Sequence, residues 1–308
     1  MGGEKRSKAR SGAWRGCLLV LAVPVVVGVV HLVAPDGGSG AVGDASASAS
    51  AAAHERERRA DDAVVADAPA GLAAPAKKEL AERFLSSAEN STLDWRSAYG
   101  SIEDTGDGHG YTAGIIGFCT GTDDLLTLVE RYTEDHPDNG LARYLPALRA
   151  VNGTDSHKGL DPGFPAAWRA EARVEAFRTA QEEERDRVYF GPAVRLAKLD
   201  GLGTLGRLIY YDAMVLHGPG VDADGFYGLR DEALRRAELP SDGGSRTAYL
   251  KAFLDVRREA IKRDAAGGDH GDTSRIDTAL RRFLDRGNHD LDTPLVWRVY
   301  GERYRVEH

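Results

Sequence analysis

Two carboxylates, Glu89 and Asp107, stand eighteen residues apart where the chain changes character. Glycoside hydrolysis requires one protonated carboxyl to assist the leaving oxygen and one ionised carboxylate to activate water or to attack. An acid at a helix end and another on a facing β turn could line opposite sides of a groove. Residues 71–308 hold 40 acidic side chains, and most such side chains only solvate a face, so spacing alone leaves this as one reading of three. The second is a calcium loop at Asp104-Thr105-Gly106-Asp107-Gly108-His109. Against it, glycine fills the third and fifth ligand positions, and Ile115 stands where the bidentate Glu belongs. The third is a nucleophile elbow at Gly117-Phe118-Cys119-Thr120-Gly121. That chemistry calls for strand–helix alternation in a parallel sheet, and the sequence shows none. A buried Cys acting as a small hydrophobe is the commoner role.

The elements that must position these residues are mostly helical. Leu80, Phe84, Leu85 and Ala88 fall at helical spacing after Pro75, which predicts a helix ending at or near Glu89, broken by Asn90-Ser91-Thr92. Between Glu103 and Gly121 the chain is punctuated by Gly106, Gly108, Gly110, Gly114, Gly117 and Gly121. There Tyr111-Thr112 and Ile115-Ile116 read as short strands joined by tight turns. Asp123 or Asp124 can cap a helix carrying Leu125, Leu128, Val129 and Tyr132. Further helical stretches follow around 166–188, 191–216, 226–237, 245–265 and 275–286. No internal repeat is visible. The fold class is α+β, mainly α, with one small Gly-rich β element near its start.

Composition divides the chain of 308 residues. A basic head (Lys5, Arg6, Lys8, Arg10, Arg15) precedes an uncharged run of 18 residues, Cys17 to Ala34, and a Gly/Ala/Ser tail. That order predicts an export signal over 1–47, with Ala45-Ser46-Ala47 and Ala47-Ser48-Ala49 as cleavage options. The run also meets the lower limit of a membrane span, though Pro24 and His31 weaken that alternative. Residues 48–74 carry few large apolar side chains and read as a flexible linker, with the folded domain over 75–308. Residues 1–70 hold eight basic and eight acidic residues, so the net charge of −8 belongs wholly to the remainder. Acidic surface argues against nucleic acid, which needs basic side chains for its phosphates, and suits a cationic substrate. With Cys17 in the signal, Cys119 is the single cysteine of the mature domain. A Cys-type metal cluster is thereby excluded, the histidines are scattered, and no cofactor is expected.

One set of blocks carries a family resemblance. Ser86-Ser87-Ala88-Glu89-Asn90-Ser91, Leu93-Asp94-Trp95, Ile102-Glu103-Asp104, Gly106-Asp107-Gly108 and Gly110-Tyr111-Thr112 resemble the opening of the family 46 chitosanases. Gly114-Ile115-Ile116-Gly117-Phe118-Cys119, Tyr144-Leu145-Pro146-Ala147-Leu148 and Glu184-Arg185-Asp186-Arg187-Val188-Tyr189-Phe190 continue the likeness. Tyr210-Tyr211-Asp212-Ala213, His217-Gly218-Pro219-Gly220 and Asp272-Thr273-Ser274-Arg275 extend it over roughly 72–304.

The resemblance implies a lysozyme-like fold in which two mostly helical lobes flank a cleft. It implies an endo-acting, inverting hydrolase of β-1,4 glucosamine linkages, secreted and monomeric, with chitosan as its polymer and no lasting membrane attachment. Glu89 matches the general acid, Asp107 the base that activates water, and Thr112 the residue that helps to position that water. Asp212, Arg257 and Arg275 match a charged network behind the acid, where an Arg fork can fix a carboxylate. Asp124 matches an acidic partner of a glucosamine ammonium group. Ser91, Thr122 and His270 match further cleft groups, and His109 occupies a cleft position too. Family members have Arg where His109 sits, Tyr near Ser101 and Asp near Glu302, and these departures bear on subsite contacts. A lysozyme-like hydrolase of peptidoglycan or another amino-sugar polymer is the alternative that shares the same carboxylate chemistry.

Overall fold

The computed structural model describes residues 42–106, 108–266 and 271–307. The chain divides into two compact units, 21–70 and a main unit that contains Gly71–His308. In the first, α1 spans Val42–Asp67. Its alanines are the strongest helix formers. Arg59 Nε also donates to Glu55 Oε1 one turn earlier, at 2.8 Å, which supports the helix. Leu72, near the start of the main unit, is fully buried.

Helix α2 runs Pro75–Glu89 and ends where its spacing predicts, with Pro75 in the first turn, where a missing N–H costs nothing. Leu80, Ala81, Phe84, Leu85 and Ala88 face the core. Phe84 packs between Phe283 and Trp297, and the Trp297 indole N–H donates to Ser87 Oγ at 2.8 Å. Full burial of one such ring contributes about 1.5–3 kcal/mol, so this contact anchors the helix that carries Glu89.

The Gly-rich element is an antiparallel sheet in the order β1 (Ile102–Asp104), β2 (Tyr111–Ala113), β3 (Phe118–Cys119). Thr112 pairs with Glu103 on one side and with Cys119 on the other. Ile115 and Ile116, expected in a strand, lie instead in the turn between β2 and β3. Gly114, at φ +78°, opens that turn, and a Cβ there would come within 2.5 Å of Gln181 Oε1. Every strand pairing among the described residues is antiparallel, so the parallel sheet that a nucleophile elbow calls for is not found among them.

Helices α3 (Asp124–Asp135), α4 (Leu145–Val151), α5 (Phe164–Glu171) and α6 (Glu175–Arg185) follow. A π-helical turn, Asp186–Phe190, leads into α7 (Gly191–Leu199). The helix expected over 191–216 is two, because Gly201 at φ +73° breaks it before α8 (Thr204–His217). Then come α9 (Phe226–Arg236), α10 (Arg246–Ala266), a second π turn at Arg275–Leu280 and α11 (Arg281–Asp285). The chain closes on a hairpin, β4 (Leu295–Val299) and β5 (Glu302–Val306), which sequence reasoning did not anticipate. No helix of the described residues is long and apolar enough to cross a membrane.

Candidate active site

Glu89 ends α2 with its carboxyl buried, 4% exposed. Arg275, from the second π turn, brings Nη2 to 2.5 Å from Glu89 Oε1, a close ion-pair contact outside hydrogen-bond alignment. The same guanidinium donates through Nε to Asp212 Oδ1 at 2.6 Å. Asp212, on α8, accepts from Arg257 Nη2 of α10 at 2.7 Å through its other oxygen. Asp212 and Arg257 are completely buried. The structure thus brings Glu89, Arg275, Asp212 and Arg257 into one chain of contacts.

Burial is the largest influence on Glu89 and lifts its carboxyl above the ordinary value of 4.5. The Arg275 guanidinium opposes that rise, while the negative charge of Asp212 adds to it. The balance suits a proton donor: an acid protonated longer than usual, beside a cation that stabilises the carboxylate left when the proton departs.

A second cluster forms where β3 meets α3. Asp124 is buried, and its Oδ1 accepts from Cys119 N–H at 2.9 Å, Thr122 Oγ1 at 2.8 Å and Leu125 N–H at 2.8 Å. Its bond to Leu125 satisfies a free N–H of the helix start, so the capping role holds in part, although Asp123 is the N-cap residue. Burial pushes the Asp124 carboxyl up to about 7 against these donors. Thr112, on β2, is buried with Oγ1 at 3.2 Å from Cys119 Sγ, which ties it to the same corner.

Other expected residues stand apart from these contacts. Ser91 takes φ 52° just beyond α2. His109 accepts the Gly121 N–H through its carbonyl at 3.0 Å. Ser101 leads into β1 and Glu302 opens β5. Asp107 and His270 lie outside the described residues.

Three neighbours were missed from sequence. Tyr300 sits in the field of Arg275 and Glu89; burial first, and Glu89 among the other causes, raises its phenol to about 12. His217 closes α8, where burial and the Arg257 and Arg275 cations hold its imidazole far below the usual range, hence neutral. Glu82, one helical face along α2 from Glu89, accepts from Tyr211 at 3.2 Å and meets Arg185 at 3.3 Å. Tyr211 adjoins Asp212, so α8 grips α2 at two levels. Only the buried charges of Arg185 and Glu82 on otherwise amphipathic helices hinted at this second grip. Among the described residues, no group of His, Cys, Asp and Glu could hold a metal ion.

The family model described as glycosyl hydrolase family 46 matches residues 83–295. A chitosanase of Streptomyces sp. (strain N174) is 54% identical over 239 residues, covering 78% of this chain and 85% of that protein. A structure of chitosanase OU01 co-crystallised with substrate is similar at TM-score 0.75 and 52% identity, over 78% of this chain and all (100%) of the other. A Gynuella sunshinyii family 46 chitosanase in complex with chitotetraose is similar at TM-score 0.69 and 31% identity, over 75% of this chain and 97% of its own. The mainly helical α+β fold is thus shared with lysozyme-like enzymes.

Proposed function

The chain belongs to glycosyl hydrolase family 46, and from that premise we propose that it is an endo-acting chitosanase that hydrolyses β-1,4 glucosamine linkages with inversion. The observation that carries the reading is Glu89: a carboxyl buried at a helix end, lifted in pKa, and backed by Arg275 and Asp212. In the proposed reaction the protonated Glu89 gives its proton to the glycosidic oxygen as the bond to the anomeric carbon breaks. Asp107 takes a proton from a water that attacks the opposite face, and Thr112 orients that water. Inversion needs room for water between the two carboxyls. Arg275 then stabilises ionised Glu89 until solvent returns the proton. Asp124 receives a glucosamine ammonium, for which an anion in a site of little solvent is the natural partner. Ser91, Thr122, His109 and His270 complete the contacts to the polymer.

The amino-terminal pattern supports export, with residues 1–47 removed, 48–74 as a spacer and 75–308 acting outside the cell as a monomer. The direct test is release of reducing ends from soluble chitosan. Glu89→Gln and Asp107→Asn should each lower the rate by about 10²–10⁴-fold, the usual worth of a general acid or base. A rate near wild type in either variant removes that residue from the mechanism.

A further inference from the structure

The Asp124 carboxylate is bound unevenly. Its Oδ1 takes three donors at 2.8–2.9 Å, which exceeds the roughly two lone pairs of one oxygen. Oδ2 has one hydrogen-bond partner among the described residues, the Tyr189 hydroxyl, which donates to it over 3.4 Å. That separation is longer than the roughly 2.5–3.0 Å of a formed O–H···O bond. Asp124 is 6% exposed and Tyr189 5%. Oδ2 therefore holds only one long, weak bond in a buried position, and an acceptor with lone pairs to spare gains from a further donor.

What aims Tyr189 is the first π turn. One extra residue in a helical turn rotates everything after it by about 100°. In Asp186–Phe190 the outcome is that consecutive residues are buried against different elements. Tyr189 reaches Asp124 at the start of α3, while the Phe190 ring lies 5.1 Å from that of Tyr211 on α8 and 4.7 Å from Lys78 Nζ on α2. Asp186, in the same turn, pairs with Lys78 and with Arg185. The turn thus braces the helix of Glu89 with one residue and completes the Asp124 corner with the next.

We propose that Tyr189 is a specificity-determining residue whose hydroxyl, together with Asp124 Oδ2, holds the ammonium group of one glucosamine unit. This rests on the chitosanase reading above. An ammonium has three donors and no acceptor, so it can give one N–H to each oxygen. The phenol accepts that N–H while donating its own proton to Oδ2. An N-acetyl group brings no charge and a bulkier acyl arm, and it meets two oxygens that its single N–H cannot satisfy.

The test is calorimetric titration of glucosamine hexamer into Glu89→Gln protein, in which turnover is removed. Adding Tyr189→Phe should weaken Kd about tenfold, and adding Asp124→Asn should weaken it at least as much. The triple variant should bind no more weakly than Glu89→Gln/Asp124→Asn, because the phenol acts only through an ammonium seated at Oδ2. An unchanged Kd in Tyr189→Phe, or a full additional loss on top of Asp124→Asn, overturns the proposal. If Tyr189→Phe fails to fold, 3-fluorotyrosine at 189 keeps the shape and weakens the oxygen as an acceptor; it should also loosen binding, and an unchanged Kd there overturns the proposal equally. Absence of chitosan cleavage by the wild-type protein would sink the chitosanase reading itself, whereas hexamer binding that ignores Tyr189 sinks only this inference.

Discussion

At the scale of single residues, the behaviour of Glu89 is a contest between burial, which raises its pKa, and Arg275, which lowers it. Asp212 sides with burial, both by its own charge and by engaging Arg275 Nε. Asp212→Asn should therefore move the alkaline limb of the kcat profile to lower pH, since Glu89 then loses its proton more readily. The same variant leaves Arg257 and Arg275 without their buried anion and should cost about 3–5 kcal/mol in denaturant unfolding. An alkaline limb that stays in place would separate Asp212 from the acid's electrostatics. Glu89 was legible in the sequence because apolar spacing fixes where α2 stops. Its partners were legible only through the family likeness, since Asp212, Arg257 and Arg275 lie on three distant segments. His217 and Tyr189 carried no local signal, because a buried tyrosine or histidine reads as ordinary core, and Tyr300 lies in a turn with nothing beside it in sequence to mark it.

At the scale of elements, the sheet and the π turns set the side chains that matter. Thr112 stands on β2, and β2 is held by the turn that begins at Gly114. A methyl group there would strike Gln181 Oε1 and lie 3.1–3.2 Å from Phe118 and Trp168, at a φ that L-residues avoid. Gly114→Ala should cost about 2–4 kcal/mol in thermal or denaturant unfolding and loosen Thr112. A loss under about 0.5 kcal/mol would mean that the turn yields freely. The sequence placed a strand at Ile115-Ile116 because β-branched pairs favour strands. The glycines on either side take left-handed backbone and made that pair a turn. Helix existence was readable from periodicity, while the break at Gly201 and both π turns were not. One inserted residue leaves composition and spacing almost unchanged.

At the scale of the molecule, acidity and burial pull in different directions. The main unit's net negative charge suits a cationic polymer, yet Glu82 and Asp124 are carboxyls deep in the fold, each pushed by burial to about 7. A folded-state pKa above the unfolded value means that the native state holds more protons, so stability falls as pH rises across the gap. For Glu82 that window runs from about 4.5 to about 7. Glu82→Gln does not titrate, so its melting temperature relative to wild type should climb through the same window and level off outside it. A pH-independent difference would show that Glu82 is ionised throughout, held by Arg185. In the amino-terminal unit, an Ala-rich segment without a core closes its own helical hydrogen bonds in α1. Inverting hydrolysis of glucosamine linkages by Glu89 and Asp107 is the proposed reaction of the whole molecule. Proton NMR during the first minutes of glucosamine hexamer digestion addresses it most directly. New reducing ends should appear first as the α anomer, and Glu89→Gln protein should produce almost none. An initial β signal, or undiminished cleavage by Glu89→Gln, would contradict that reaction.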